Sequence, residues 1–261
     1  MTFQYLRYEI VDFIARVNID RPPVNALNAE LVSELKHAAE AIEEDVSAGK
    51  VRVVVLASEG KYFCAGADLK ERMGLREEDV APTVRNIGAA VNQIAQISVP
   101  TIAVLQGSAF GGGFEVALAA DIRIVADTAQ VGLRETALAI IPGAGATQRL
   151  TRLAGPSNAV LWITSARLFS AEEARSQGVV NYVVRAEELM PTAYKLATEI
   201  AGNGPLAVRQ AKKAIIAGLD EDLKDGLQLE FECYQKIIPT ADRIEGLVAF
   251  KEKRVPQYDG K

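Results

Sequence analysis

The sequence predicts an α/β protein whose C-terminal part is built of helices alone. Short runs rich in β-forming residues recur along the chain, and segments with helical periodicity lie between them. From about residue 186 onward the strand signal disappears and only helical periodicity continues. Alternating strands and helices are typical of a core in which helices cover a mostly parallel sheet. We therefore expect an α/β body followed by a helical tail.

The predicted strands cover residues 13–19, 51–57, 101–106, 122–126 and 179–184. After the first strand, Asn28 can cap a helix because its side-chain oxygen can accept a backbone N–H of the first turn. The apolar stripe of this helix consists of Leu31, Leu35, Ala38, Ile42 and Val46. Its charged residues, which we expect at the surface, are Glu30, Glu34, Lys36, Glu43, Glu44 and Asp45. A second helical stripe consists of Val80, Val84, Ile87, Val91 and Ile94.

The tail contains four predicted helices, at residues 186–202, 205–217, 219–238 and 240–250. Proline or glycine stands at several of their junctions, as is typical of helix ends. Such a tail can cover its own core or pack on a neighbouring chain, and the periodicity leaves both possibilities open.

Composition and charge exclude several classes of function. The chain has 261 residues, with 29 basic and 34 acidic side chains and a net charge of −5. This balance argues against nucleic acid or an anionic membrane as the main partner, because phosphate binding needs clustered Lys and Arg. No apolar run reaches the roughly 18 residues that a membrane span needs. The N-terminal residues lack an apolar signal core and are too acidic for a transit peptide, so we expect a cytoplasmic protein.

The chain has a single histidine, His37, which lies beside the apolar stripe of the first helix. One histidine cannot form a two-histidine metal site within one chain, and it allows a serine or cysteine catalytic pair only if His37 itself is the base. Cys64 and Cys233 lack metal-ligand spacing. We therefore expect chemistry based mostly on carboxylates, backbone groups or a cofactor, without a metal, and we interpret His37 as an ordinary helix residue.

Three segments concentrate glycine beside apolar and acidic residues, at 62–68, 107–115 and 135–147. The second lacks the Lys-Ser/Thr ending of a phosphate loop, and the third lacks the last glycine of a dinucleotide fingerprint. The glycines at 111–113 directly precede an apolar helix. Such a turn either offers free N–H groups to an anion or lets backbone pack closely on a sheet, and the sequence alone leaves both open.

Two glutamates stand out near these glycines. Glu115 follows Gly112 by about one helical turn in an otherwise apolar helix, so we expect it to be buried, with its charged form favoured by the helix terminus. Glu135 precedes an apolar stretch, and apolar surroundings raise the pKa of a carboxyl group, which suits a proton donor. Arg134 could oppose that shift, and a surface ion pair between Arg134 and Glu135 is the alternative interpretation.

Five ordered blocks carry a resemblance to a known family. They are residues 20–28 (DRPPVNALN), 63–70 (FCAGADLK), 107–121 (GSAFGGGFEVALAAD), 132–150 (GLRETALAIIPGAGATQRL) and 240–257 (TADRIEGLVAFKEKRVPQ). In these blocks the chain resembles the crotonase superfamily, and specifically the enoyl-CoA hydratases. The resemblance implies a crotonase (ClpP-like) spiral of ββα units with a C-terminal helical region. It also implies a core with the acyl-CoA site at 1–200 and a trimerisation region at 201–261, in a homotrimer or homohexamer.

The resemblance also implies roles for individual residues. The backbone N–H groups of Ala67 and Gly112 match the oxyanion hole that binds the thioester oxygen. Glu115 matches the residue that activates water, and Glu135 matches the residue that exchanges the proton at C2. The implied reaction is syn hydration of a 2-enoyl-CoA, with CoA as part of the substrate and no further cofactor. The implied CoA-binding residues are Ala65, Ala67, Asp68, Leu69, Lys70, Gly112, Phe250 and Lys253.

Lys251 is a further candidate for a CoA phosphate contact, and a solvated basic end is its alternative interpretation.

Residues 64–72 and 138–143 and the C-terminal block are most similar to the branch that hydrates 3-methylglutaconyl-CoA in leucine breakdown. A dicarboxylate acyl chain would need a nearby cation, for which Lys70, Arg72 and Arg134 are candidates. A general short-chain hydratase of fatty-acid degradation and an enoyl-CoA isomerase are alternatives. A non-catalytic, RNA-binding homologue is a third, but the acidic helix after Asn28 argues against RNA binding there.

Overall fold

The architecture is taken from a computed structural model, which describes residues 3–261. Within these residues the strands are β1 (Leu6–Val11), β2 (Ile14–Ile19), β3 (Val53–Ser58), β4 (Tyr62–Cys64), β5 (Thr101–Leu105), β6 (Ser108–Phe110), β7 (Ile122–Ala126), β8 (Gln130–Gly132), β9 (Phe169–Ser170) and β10 (Tyr182–Val184). The helices are α1 (Ala29–Ser47), α2 (Leu69–Met73), α3 (Glu77–Ala95), α4 (Gly112–Ala119), α5 (Ala146–Ser165), α6 (Ala171–Ser176), α7 (Leu189–Ala201), α8 (Pro205–Gly218), α9 (Leu223–Ile237) and α10 (Ala241–Glu252). Short 3-10 helices lie at Glu135–Leu138 and Ala186–Glu188.

The strands form two sheets. The larger has the order β1-β2-β3-β5-β7-β10 and is parallel except for the β1-β2 pair. The smaller has the order β4-β6-β8-β9 and is parallel except for the β8-β9 pair. In each of the successive pairs β3/β4, β5/β6 and β7/β8, the first strand belongs to the larger sheet and the second to the smaller sheet. Helical segments follow each pair. This is the predicted spiral of ββα units.

Helix α1 begins as the sequence predicts, because the Asn28 side chain accepts the backbone N–H of Leu31 at 3.0 Å. Its predicted apolar stripe is buried, and His37 is exposed. The surface position predicted for Glu34 is wrong, since only 7% of this residue is exposed. Its carboxylate accepts the backbone N–H of Tyr5 at 2.9 Å and that of Gln4, so it is buried as a partner for main-chain donors.

The longer predicted strands are present, but the last one is shorter than predicted. Val179 and Val180 are buried without belonging to β10, because their backbone N–H groups bond to the carbonyl of Ala174 at the end of α6. The sequence prediction did not include β1 or the strands of the smaller sheet. The strands of the smaller sheet have only two or three residues, too few to show an alternation of apolar and polar positions.

The four predicted tail helices correspond to α7–α10. Helix α7 packs on the larger sheet, where Ala193 and Ala197 join an apolar cluster with Val53 and Ile102. Helices α8–α10 leave many large apolar side chains exposed, especially on α9. The predicted boundary between a core at 1–200 and a trimerisation region at 201–261 falls just before Ala201, the last residue of α7. This division remains a prediction. No helix within residues 3–261 is both long enough and apolar enough to cross a membrane.

Candidate active site

Three neighbouring parallel strands of the smaller sheet, β4, β6 and β8, end at one cavity. Residues 65–67 follow β4, residues 111 and 112 follow β6, and Glu135 comes three residues after the end of β8. Because the carboxyl ends of parallel strands meet at the same edge of a sheet, three segments far apart in sequence are brought together. The cavity has a volume of about 340 Å³, the size of a small-ligand site.

The wall of the cavity is mostly apolar. Helix α3 contributes Val84 and Ile87, and the segment after β8 contributes Leu138, Ile140 and Ile141. The ionisable residues in the wall are Arg72, Glu115, Arg134 and Glu135. The site therefore combines an apolar surface with two carboxylates and two guanidinium groups.

The turn before α4 requires glycine and brings two backbone N–H groups together. Gly111 has φ 51° and ψ −128°, and Gly66 has φ 97°, conformations that side-chain-bearing residues rarely adopt. A Cβ on Gly112 would lie 3.7 Å from the nitrogen of Ala67. Gly112 is the first residue of α4, so its N–H has no acceptor within the helix. Within residues 3–261 the N–H of Ala67 also donates to no backbone acceptor. The two donors are therefore available to one oxygen atom of a ligand.

Glu115 lies one turn into α4 and is buried, with 3% of the residue exposed. Its Oε1 accepts the backbone N–H of Ala144 at 2.8 Å and that of Ala146 at 3.0 Å. Its Oε2 lies 4.0 Å from the position that a Cβ on Gly112 would occupy. Burial raises the pKa of Glu115 above its ordinary value, and the two N–H donors and the charges of Arg149 and Arg72 partly offset this. Desolvation thus outweighs the donors in the pKa of Glu115, and the effect of the helix terminus on its charged form remains a prediction.

Glu135 begins the 3-10 helix after β8, and its carboxylate lies against Gly111 of the glycine turn. A Cβ on Gly111 would lie 2.8 Å from its Oε1, so a side chain there would displace this carboxylate. Its Oε2 is buried and has no hydrogen-bond partner within the described residues. Burial, together with the negative charge of Glu115, raises the pKa of Glu135 to about 7, against the lowering effect of Arg72 and of nearby backbone N–H groups.

The alternative interpretation of Glu135 as half of a surface ion pair is wrong. The Arg134 side chain is exposed and forms no ion pair within residues 3–261. The positive charge that acts on Glu135 comes from Arg72, which lines the same cavity and lowers the pKa of both glutamates. Two carboxylates thus face one cavity beside a pair of backbone donors.

Comparison with known proteins identifies the family. The family described as enoyl-CoA hydratase/isomerase matches residues 9–261, nearly the whole chain. The chain belongs to this family. The enoyl-CoA hydratase/isomerase match also covers every segment that lines the cavity.

Individual relatives agree with this assignment. Human methylglutaconyl-CoA hydratase, mitochondrial, is 47% identical over 241 residues, which cover 90% of this chain and 70% of the relative. Human enoyl-CoA hydratase domain-containing protein 2, mitochondrial, is 43% identical over 254 residues, covering 95% of this chain and 86% of the relative. A crystal structure of an enoyl-CoA hydratase from Bacillus anthracis has a TM-score of 0.96 and 45% identity, covering 99% of this chain and all of that one. The predicted crotonase fold and the prediction of a hydratase enzyme are confirmed.

The structure brings most of the residues implied by the family resemblance to the cavity. Ala65, Ala67, Leu69 and Gly112 line it together with both glutamates. The side chain of Asp68 is used elsewhere: it caps α2 and forms an ion pair with Arg21 at 2.9 Å. Lys70 is exposed and does not line the cavity. Phe250 and Lys253 lie at the end of α10, exposed and outside the cavity of this chain.

Two groups at the site were not identified from the sequence. One is the pair of backbone N–H groups of Ala144 and Ala146 that hold Glu115, although their glycine-rich segment was recognised. The other is α3, whose stripe predicted only a core face but which also covers the cavity through Val84 and Ile87. No cluster of three or more His, Cys, Asp or Glu side chains suited to a metal ion is found among residues 3–261. That the reaction needs no metal or cofactor remains a prediction.

Proposed function

We propose that the protein adds water reversibly across the 2,3 double bond of a 2-enoyl-CoA thioester, with both new bonds on one face. The observation that carries this proposal is that two carboxylates lie against adjacent glycines of one turn, Glu135 at Gly111 and Glu115 at Gly112, in the cavity that the N–H groups of Ala67 and Gly112 also face. Within an enoyl-CoA hydratase/isomerase family, such a pair can serve both proton transfers of a hydration.

The backbone donors would bind the thioester oxygen. As water attacks C3, negative charge moves through C2 onto this oxygen, and donors held in place before the reaction stabilise that charge. Gly112 is the first residue of α4, so the positive end of the helix dipole adds to the effect. Both donors are main-chain groups, which explains how a chain with one exposed histidine can carry out this chemistry.

The glutamates would move the protons. Oε2 of Glu115 takes a proton from water while the water oxygen bonds to C3, and protonated Glu135 gives its proton to C2. Glu115 ends protonated and Glu135 ends ionised, so the pair holds one proton before and after the step. Two hydrogen bonds to Oε1 favour the ionised form of Glu115, whereas Oε2 of Glu135 lacks a partner. This difference supports Glu115 as the base and Glu135 as the acid in hydration.

The test is hydration of crotonyl-CoA by the Glu115→Gln variant. Glutamine keeps the shape of the side chain but cannot accept the proton, so we expect kcat to fall by about 10²- to 10⁴-fold. Loss of the absorbance of the conjugated thioester measures the rate, and binding of a saturated acyl-CoA shows that the site is intact. Glu44→Gln, at an exposed position of α1, is the control. Full activity of Glu115→Gln would reject the two-carboxylate mechanism, and migration of a 3-enoyl double bond without water addition would favour the isomerase.

A finer proposal concerns the acyl chain. We propose that 3-methylglutaconyl-CoA, an intermediate of leucine breakdown, is a substrate. The name of the human relative, at 47% identity, supports this, as do the two guanidinium groups in the cavity wall. The comparison that decides it is kcat/KM for crotonyl-CoA, longer 2-enoyl-CoAs and 3-methylglutaconyl-CoA.

We also propose that the chain assembles as a homotrimer or a homohexamer in the cytoplasm. Exposed apolar residues at helical spacing on α9 support an assembly through the C-terminal helices; they include Leu223, Leu227, Phe231 and Tyr234. In such an assembly, Phe250, Lys251 and Lys253 could contact the CoA of a neighbouring subunit. This arrangement would give α10 a part in binding although it does not line the cavity of its own chain.

A further inference from the structure

The geometry of a five-carbon dicarboxylate acyl chain restricts where its second carboxylate can bind. In a glutaconyl-type chain, C5 is two carbon–carbon bonds from C3, or roughly 2.5 Å. The atom that receives water must lie beside the glutamates, so a C5 carboxylate must lie close to them as well. The two glutamates share one proton and so carry one negative charge, and the C5 carboxylate adds a second negative charge beside it. Two such charges repel one another strongly in a site that excludes water. A cation that binds the C5 carboxylate must therefore lie close enough for its charge to act on both Glu115 and Glu135.

Arg72 meets this requirement. It lines the cavity, is half-buried, and forms no side-chain hydrogen bond or ion pair within residues 3–261. Its charge lowers the pKa of Glu115 and of Glu135. The guanidinium group is always charged and presents paired N–H donors that match a carboxylate.

The other cations near the site do not meet the requirement. Arg149 donates to the carbonyl of Ala144 at 3.0 Å and to Asn92 at 2.6 Å, and it lies outside the cavity wall. Arg134 lines the cavity but is exposed, and the main cationic influence on the pKa of both glutamates comes from Arg72 and, for Glu115, also from Arg149. Lys70 does not line the cavity.

Helix α2 holds Arg72 toward the cavity. Asp68 caps this helix and pairs with Arg21, and the carboxylate of Glu71 accepts the backbone N–H of Ala29 at 3.1 Å. Leu69 and Arg72, three residues apart, share the face that lines the cavity. The helix is thus fixed to the segment after β2 by one polar contact and to the start of α1 by another. Neither contact uses Arg72, which leaves its guanidinium group free to bind a ligand.

We infer that Arg72 binds a carboxylate at C5 of the acyl chain and so directs the enzyme toward enoyl-CoA esters that end in a carboxylate. This inference rests on the proposed hydratase function. It identifies Arg72 as a specificity-determining residue and gives the protein a preference for dicarboxylate over monocarboxylate acyl chains of the same length.

The test compares glutaconyl-CoA with 2-pentenoyl-CoA, which have the same number of acyl carbons and differ in the C5 carboxylate. We expect the wild type to prefer glutaconyl-CoA in kcat/KM. In Arg72→Gln the ratio of the two values should fall about 30-fold or more, because the C5 carboxylate loses its ionic partner. Arg72→Lys should keep part of the preference. Arg85→Gln, at an exposed position of α3 outside the cavity wall, should leave the ratio unchanged.

The ratio of the two kcat/KM values separates recognition of the C5 carboxylate from a general loss of activity. Any effect of Arg72 on the glutamates or on CoA binding applies to both substrates and leaves the ratio unchanged. An equal loss with both would overturn the inference and would indicate that Arg72 supports the glutamates or contacts CoA. A wild type without preference would also overturn it. A wild type that hydrates neither substrate would instead refute the proposed hydration. A second test compares the affinities of the wild type for glutaryl-CoA and pentanoyl-CoA, neither of which can be hydrated. This comparison depends neither on turnover nor on the folding of a variant. Tighter binding of glutaryl-CoA is expected.

Discussion

Replacing Glu135 by glutamine should make the protein more stable at alkaline pH while it removes activity. The carboxyl group is in apolar surroundings beside a second carboxylate, and these raise its pKa from an ordinary value of 4.5 to about 7. A carboxyl group with a raised pKa binds its proton more tightly in the folded than in the unfolded protein. Its contribution to folding is therefore favourable at low pH and is lost as the pH rises from about 4.5 to about 7. Above that range the folded protein holds an unfavourable charge that glutamine does not carry.

The size of the effect follows from that difference in pKa. One pKa unit corresponds to about 1.4 kcal/mol, so a rise from 4.5 to about 7 sets an upper limit of about 3.5 kcal/mol. Because Glu135 is only partly buried, solvent screens part of this cost, and we expect Glu135→Gln to gain about 1–2 kcal/mol at pH 8. For a chain of this size that gain corresponds to a rise of roughly 2–8 °C in Tm. At pH 5 most of the gain should be absent.

Thermal unfolding at pH 5 and pH 8, at one protein concentration, measures the difference. The control is Glu44→Gln, which removes an exposed carboxylate and should change Tm little at either pH. The same preparations, assayed with crotonyl-CoA, should show that Glu135→Gln loses most of its turnover. An equal change in Tm at both pH values, or a lower Tm of the variant at pH 8, would refute the conclusion that the pKa of Glu135 is raised in the folded protein. The expected result is a direct trade of stability for function.

Two further predictions concern the backbone donors and the assembly. Gly112→Pro removes one N–H at the first position of a helix, where proline is well tolerated. It should lower kcat for crotonyl-CoA about 10²- to 10³-fold, while circular dichroism shows unchanged helical content. Unchanged kcat would reject the donor role. Leu227→Glu places a charge on the exposed apolar face of α9 and should reduce the mass measured by light scattering to that of smaller species; an unchanged trimer or hexamer would mean that this face is not the interface.

The fold class could be predicted because its longer elements carry periodicity. Helix α1 shows a complete apolar stripe and an Asn28 cap, and β3 and β5 are continuous apolar runs. The strands of the smaller sheet escaped detection because they are too short to show any alternation. These strands bring the three site segments together. From the residues alone, therefore, the glycine segments could be recognised but not assembled into one site, and the assembly depended on the resemblance to a family.

Charge environment was the hardest property to predict. Glu34 was expected at the surface because it is charged, yet its carboxylate accepts the main-chain N–H groups of Gln4 and Tyr5, the two residues before β1. For Glu115 the sequence indicated only the terminus of its own helix as a stabilising group, whereas its two N–H donors come from Ala144 and Ala146 and burial has a larger effect on its pKa than they do. In both cases the decisive partners lie far away in sequence, where local patterns carry no information.

The N–H groups of Ala67 and Gly112 belong to the main chain, so amino-acid substitutions affect them differently from the side-chain groups of the site. No side-chain exchange can delete an N–H group except replacement by proline, so under the proposed mechanism the binding of a thioester oxygen would depend on the path of the backbone. The groups that would act on the acyl carbons are side chains in the segments that follow β6 and β8. Single substitutions in those segments would then change the reaction while the thioester remained bound in the same way.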